Sequence, residues 1–214
     1  MKKLDVINLG MVSYGEGLEL MMHRRALLLD GRAPDTLLVL SHEPVITKGR
    51  QLKNTLVTFD PMIKKMGIQV RDADRGGLLT YHGPGQIVIY FIIRVKEYFK
   101  GVREMVEAIE AVLVVFLRAF KLDPYLKKEH PGVWVGKKKL ASLGLRVSQG
   151  VTTHGVSLNV NNDLGVYRYF EPCGLSGETQ TNLKEALNNS SMILDCDDIA
   201  ARLVDCFVKR LTQA

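Results

Sequence analysis

A chain of 214 residues with 46% hydrophobic and 24% charged side chains carries enough apolar material for a sizeable core, and excludes a disordered or fibrous protein. Its net charge of +6 is spread along the chain, with neither a basic tail nor an interleaved aromatic stripe, so an acidic protein partner is favoured over nucleic acid. Three scattered cysteines argue against a disulfide framework or a zinc ribbon, and the longest apolar run, residues 87–93, is strand-sized rather than membrane-spanning. The expectation is a single domain over residues 1–214, monomeric, binding neither nucleic acid nor membrane, in a reducing cytoplasm or an organelle matrix.

The elements follow in chain order. Residues 6–14 suit a first strand, and residues 18–29 read as a helix ending near Gly31. Residues 36–40 form a short apolar strand, 44–50 a strand and turn, and 51–59 a surface loop. Asp60-Pro61 starts a helix, with Asp as cap and Pro at the first helical position. A strand over 68–71 leads into Arg75-Gly76-Gly77. Residues 86–94 are apolar on both faces, which implies a central, doubly covered strand. The clearest helix spans 102–120, where Met105, Ile109, Val112, Leu113 and Phe116 follow helical spacing. Residues 133–147 read as a β-hairpin turning at Gly136-Lys137, and 151–160 as another strand. Asn182 with Glu185 resembles a capping box, and Asp195 caps a last helix to about Leu211. Strands mixed with helices without strict alternation predict an α+β fold, a mixed β-sheet packed with helices.

Four segments are candidates for chemistry. In Arg75-Gly76-Gly77-Leu78-Leu79-Thr80-Tyr81-His82-Gly83-Pro84-Gly85-Gln86, glycines surround Thr, Tyr and His just before the buried strand. Two readings stand: a hairpin with glycine turns, or a loop whose backbone approaches a ligand closely. It is neither a dinucleotide fingerprint nor a phosphate-binding P-loop. In Lys137-Lys138-Lys139-Leu140-Ala141-Ser142-Leu143-Gly144, Lys137 and Lys138 are read as a solvated turn. Strand alternation sends Lys139, Ala141 and Leu143 to one face, and Leu140, Ser142 and Gly144 to the other. Small neighbours there leave room for an alkyl chain beside Lys139. His154 and Gly155 open the strand that continues through Val156 and Ser157, and His154 is either structural or catalytic. Cys173, between Pro172 and Gly174, is the credible nucleophile, whereas Cys196 and Cys206 share a helical stripe with Ile199, Leu203 and Phe207 and read as core. A nucleophilic thiol needs a cation or base nearby, and Lys139, His154 and His82 are the candidates.

At these residues the chain resembles the lipoyl(octanoyl) transferases. The match runs from about Leu40 to Leu183, in four pieces: the glycine-rich loop 75–86; Lys139-Leu140-Ala141-Ser142-Leu143-Gly144; His154-Gly155 with Leu158-Asn159-Val160; and Pro172-Cys173-Gly174. Leu78-Leu79 and Glu171 depart from the family's usual residues. The resemblance implies the biotin/lipoate protein ligase catalytic fold. It implies that Cys173 carries the acyl group and that Lys139 lowers its pKa. Residues 75–82, Ser142, Leu143 and Gly144, and His154, Gly155, Val156 and Ser157 are the implied substrate pocket. Octanoyl-acyl carrier protein is the implied donor, and the acceptors are lipoyl domains of 2-oxo acid dehydrogenase E2 subunits and the glycine-cleavage H protein. The thioester is already activated, so no cofactor, metal or ATP is expected. Arg50, Arg71 and Arg146 are candidates for a basic docking rim. The main rival is an ATP-dependent lipoate-protein ligase on the same fold. A non-catalytic carrier-binding protein and a thioester hydrolase are the others.

Overall fold

The structure is a computed structural model that describes residues 3–52, 57–172, 179–188 and 194–213. Strand β1 (Leu4–Val12) runs into helix α1 (Tyr14–Leu29), followed by β2 (Asp35–His42) and β3 (Val45–Lys48). Short helix α2 (Pro61–Lys65), β4 (Gln69–Asp72), β5 (Leu79–His82) and β6 (Gln86–Ile92) come next. After α3 (Val95–Tyr98) and α4 (Val102–Arg118) lie β7 (Pro124–Leu126), β8 (Gly132–Val135), β9 (Lys138–Ser148) and β10 (Val151–Asn159). Helices α5 (Leu183–Ala186) and α6 (Cys196–Thr212) close the chain.

Two sheets form. The large one has the order β1-β2-β6-β10-β9-β8-β7, the small one β4-β3-β5. In the large sheet β1 and β2 are parallel, and every later neighbour is antiparallel. All seven residues of β6 are buried, as its unbroken apolar run predicts. Its side chains alternate: Ile87, Ile89 and Phe91 pack with α4 and α6, while Val88, Tyr90 and Ile92 pack with Met21 and Leu28 of α1. The small sheet has its own core, in which Ile46, Leu79 and Tyr81 meet Ile63 and Tyr167.

Most helix starts are written in the sequence. Asp60 accepts from Met62 N, Asn182 from Glu185 N, and Asp195 from Asp197 N. Helix α1 begins four residues before the expected Leu18, because Ser13 and Glu16 form a reciprocal capping box directly after β1. The hairpin reading of residues 75–86 fails. β5 pairs with β3 and β6 pairs with β2 and β10, so Gly83-Pro84-Gly85 carries the chain from one sheet to the other. That crossing demands glycine at residue 85: φ is +84°, and a Cβ there would lie 2.3 Å from Asn161 Oδ1. Cys196 and Cys206 are partly buried and pack on the main core, as expected. Among the described residues no helix is long and apolar enough to cross a membrane.

Candidate functional site

A cleft lies between the two sheets on the α1 side of the large one. Its floor is the Val88 and Tyr90 face of β6 with Gly155 and Ser157 of β10 and Ser142 and Gly144 of β9. Thr80 and His82 come from β5 of the small sheet, and Tyr14 from the start of α1. Gly155 is needed for that floor: a Cβ would sit 1.9 Å from Ile89 O. The walls are mostly apolar, which suits an alkyl chain.

Lys139 lines the same cleft and is only 4% exposed. Simple alternation had put it on the face opposite Ser142 and Gly144, and that expectation is corrected by a β-bulge. Val133 pairs with Ala141 and the next residue, Trp134, with Lys139, which leaves Leu140 as an extra residue in β9. Leu140 and Ala141 therefore both enter the main core, and Lys139 turns to the cleft with Ser142. Across the bulge Gly132 has φ +129° and makes room for the lysine stem, since a Cβ there would lie 2.7 Å from Lys139 Cε. Lys137 and Lys138 are exposed, as a solvated turn requires.

His154 also reaches the cleft through an unusual backbone. It has φ +57° inside a paired strand, a conformation few non-glycine residues adopt. Alternation alone would aim His154 at the core face shared by Val156 and Leu158. Instead its ring stands edge-on to Tyr90, with centroids 5.7 Å apart, and its Nε2 lies 2.5 Å from Asp74 Oδ1. Arg146 bonds the other Asp74 oxygen. Both contacts hold the Asp74 carboxyl down at about 2, with the His154 hydrogen bond the largest cause.

Two further imidazoles are fixed in one tautomer. His82 Nδ1 lies 2.6 Å from Gln86 Oε1, whose own Nε2 donates to Tyr81 O and Asn159 Oδ1, so His82 Nδ1 carries the proton. His42 Nδ1 faces Val12 O at 3.3 Å, so its Nε2 accepts from the Tyr90 hydroxyl at 2.8 Å. Burial is the main cause that pushes His42 down to about 4 and His82 to about 3, so both are neutral at neutral pH. Burial likewise pushes the Tyr14 hydroxyl up to about 12.

Of the pocket residues implied by the sequence, Arg75, Gly77, Thr80, His82, Ser142, Leu143, Gly144, His154, Gly155, Val156 and Ser157 line the cleft. Leu79 and Tyr81 alternate away into the small-sheet core, and Gly76 and Leu78 lie outside the lining. The Arg75 guanidinium donates to Thr47 O and Oγ1, Gly76 O and Leu78 O, so it pins the loop to β3. Gly76 N–H donates to Leu145 O. Arg50 and Arg71 are exposed, while Arg146 is engaged with Asp74. Cys173 and Gly174 lie outside the described residues. The chain returns to Lys139 seven residues beyond Cys173, where Gln180 bridges Lys139 and Thr181 N donates to Lys139 O at 3.0 Å. Sequence reasoning missed Tyr14, His42, Asp74, Val88 and Tyr90. Asp74 and Tyr90 adjoin recognised segments, but His42 and Tyr14 carry no local signal.

This geometry gives an apolar cleft with a buried amine in its lining, on the architecture of the lipoate-protein ligases. Lipoate-protein ligase A bound with ATP superposes with a TM-score of 0.74 at 16% identity, covering 99% of this chain and 85% of that one. The bipartite lipoate protein ligase of Thermoplasma acidophilum gives a TM-score of 0.74 at 16% identity, covering 99% and 84%. The family model "Lipoyl protein ligase A/B catalytic domain" matches residues 16–208, and the chain belongs to that family. It is 38% identical to the octanoyltransferase of Alkaliphilus metalliredigens over 86% of this chain and 85% of the relative. It is 37% identical to the octanoyltransferase of Stutzerimonas stutzeri over 99% and 92%.

Proposed function

We propose that the protein is an octanoyltransferase. It moves an octanoyl or lipoyl group from acyl carrier protein, through a thioester on Cys173, to a lysine of a lipoyl domain. Two lines support this reading: the curated relatives aligned over most of the chain are octanoyltransferases, and a buried lysine is delivered to an apolar cleft by the Leu140 bulge. The second carries the chemistry.

The Lys139 ammonium favours the Cys173 thiolate, because a neighbouring cation stabilises the charged form of a thiol. The thiolate attacks the octanoyl thioester carbonyl, the carbonyl–sulfur bond to the carrier breaks, and the carrier thiol leaves with the proton of the Lys139 ammonium, which becomes a neutral amine. The acceptor amine then attacks the Cys173 thioester, the C–S bond breaks, and the amine proton passes to Lys139 or His154. Backbone N–H groups near Cys173-Gly174, or that of Gly77, are the candidates to stabilise the oxyanion, since Gly76 N–H is committed to Leu145 O. Burying the chain supplies about 0.8 kcal/mol per CH₂. The acceptors proposed are lipoyl domains of E2 subunits and the glycine-cleavage H protein, and the compartment is the cytoplasm.

Intact-mass analysis after mixing with octanoyl-carrier protein, without ATP, should show one octanoyl adduct that is absent in Cys173→Ala. An adduct that persists in that variant refutes the route. Lys139→Ala should shift the thiol alkylation profile to higher pH. An unchanged profile removes Lys139 from this role.

A further inference from the structure

Strand pairing orders the cleft from one end to the other. Lys139, Ser142 and Gly144 line it in that sequence along β9. On β10 the lining runs from Ser157, which pairs with Ser142, through Gly155, which pairs with Gly144, to His154. On β6 it runs from Val88, opposite Ser157, to Tyr90, opposite Gly155. Among the described residues nothing on these three strands beyond Gly144, His154 and Tyr90 belongs to the lining.

The lining stops there because another segment crosses it. β8 pairs with β9 only as far as Ser142, so the rest of β9 would show a bare edge. The loop of residues 74–76 takes that place. Gly76 N–H donates to Leu145 O at 3.1 Å, and Asp74 bonds both Arg146 and His154. Arg75 lies over the floor itself: a Cβ on Gly144 would sit 3.1 Å from Arg75 Cδ, while the guanidinium is held by Thr47 of β3. The Arg75 stem thus spans from the large sheet to the small one directly above Gly144. Three consecutive loop residues strap the small sheet onto residues 144–146 of β9.

We infer that this strap is the end stop of the acyl cleft, and that Asp74 and Arg146, which tie it down, set the longest chain the protein accepts. The inference rests on the acyl-transfer reading for the direction of the chain, with the carbonyl toward Lys139 and the methyl end toward Gly144. From Ser157 to His154 the floor is roughly 10 Å long at about 3.3 Å per residue. An extended eight-carbon chain, with bonds of about 1.5 Å, is roughly 9 Å long, and its last carbon meets the methylenes of Arg75. Two further carbons overrun the floor. His154 belongs to the closed end, which leaves Lys139 as the nearer of the two candidate bases to the reacting carbonyl. The Asp74–Arg146 tie is partly exposed, so removing it loosens the loop without opening the core.

The test measures kcat/KM for adduct formation with hexanoyl-, octanoyl-, decanoyl- and dodecanoyl-pantetheine. Ratios are taken within each protein, so a general loss of activity cancels. The wild type should prefer octanoyl over decanoyl by about tenfold or more. Arg146→Gln should raise the decanoyl-to-octanoyl ratio by about tenfold. Gly144 has no positive φ, so Gly144→Ala adds a methyl at the stop and should lower the octanoyl-to-hexanoyl ratio about fourfold, the effect of one buried CH₂. A wild type that uses decanoyl as well as octanoyl, or an unmoved ratio in either variant, overturns the inference. Calorimetry with the free fatty acids needs no turnover. Affinity should climb about fourfold per CH₂ up to eight carbons and fall beyond, and Arg146→Gln should carry the climb to ten. That pattern without adduct formation sinks the acyl-transfer route and keeps the stop. Adduct formation with a wild-type affinity that climbs steadily to twelve carbons sinks the stop alone.

Discussion

Replacing Gly132 by alanine tests the arrangement that places Lys139. The residue has φ +129°, so any side chain is strained there by about 1–3 kcal/mol. The new Cβ would lie 2.3 Å from Ala141 O and 2.7 Å from Lys139 Cε, so the strand and the lysine stem must both move. Overpacking of this kind adds about 1–3 kcal/mol. A total of about 2–6 kcal/mol lowers Tm by about 2–4 °C per kcal/mol for a chain of this length, so roughly 4–24 °C in all. Gly136→Ala is the control: φ is +57° but nothing lies within 4 Å, so only backbone strain remains. Calorimetry gives Tm, and alkylation of Cys173 against pH, taken well below Tm, reports whether the amine has moved. Gly132→Ala should shift the alkylation profile toward that of Lys139→Ala, whereas Gly136→Ala should not. A Gly132→Ala protein with wild-type Tm and a wild-type alkylation profile would refute the bulge as the device that presents the lysine.

Other outcomes follow from the same geometry. Gly155→Ala should cost about 3 kcal/mol or more in a urea titration, because its Cβ meets Ile89 O at 1.9 Å between two central strands; a loss below about 1 kcal/mol contradicts the packing. Tyr14→Phe removes a buried hydroxyl with no partner among the described residues and should leave stability unchanged or raise it by about 1 kcal/mol, so a clear loss would show an overlooked partner. His42 is depressed from 6.5 to about 4, so its neutral form contributes fully above pH 6.5, and the benefit drains as pH falls toward 4. That shift amounts to about 3 kcal/mol, and nitrogen-15 NMR should find the ring neutral and protonated on Nδ1 at pH 6; a ring that titrates near 6.5 is the contrary result. Asp74 is depressed from 3.8 to about 2, so its contribution is complete above about pH 4 and gone below about pH 2. Because the pair is partly exposed, screening cuts that to about 1 kcal/mol, and Asp74→Asn should be less stable than the wild type at pH 6 and equal to it at pH 2.

The legible part of the fold was whatever depends on near neighbours in sequence. The β6 run announced a strand covered twice, and Asp60, Asn182 and Asp195 announced helix starts through a side chain that bonds two or three residues on. Short pieces such as β7 and α3 lacked enough residues to show a period. Four motif segments together indicated the candidate site, and two of its residues reach the cleft by departures from regular alternation. Lys139 depends on one extra residue in β9, and His154 on a left-handed backbone inside β10. Neither departure has a local signature, because each is imposed by what the partner strand and the facing side chains require. His42 and Tyr14 were invisible for a related reason: they come from β2 and α1, far along the chain from the motifs, and join the cluster only through the folded sheets.

The cleft's charge pattern gives that cluster a chemical purpose. In the proposed reaction a fatty chain meets walls of aromatic rings and imidazoles, and a protonated imidazole there would draw in water and counterions. His42 and His82 are held neutral by burial, and the tautomer of each is set by an oxygen acceptor at Nδ1. His154 turns its Nε2 to Asp74, which Arg146 also holds, so that carboxylate is balanced within its own cluster. Arg75 spends its guanidinium on Thr47 and on carbonyls of its own loop. Lys139 and Arg75 are the buried basic side chains of the cleft, and where water is excluded a charge acts on a thiol beside it with little screening. In the proposed reaction the apolar walls that suit the alkyl chain also strengthen the pull of Lys139 on the Cys173 thiolate. An added charge on the cleft wall, such as Ser157→Asp, should therefore lower acyl affinity and raise the thiol pKa together, and a variant that changed one without the other would separate two functions assigned here to one environment.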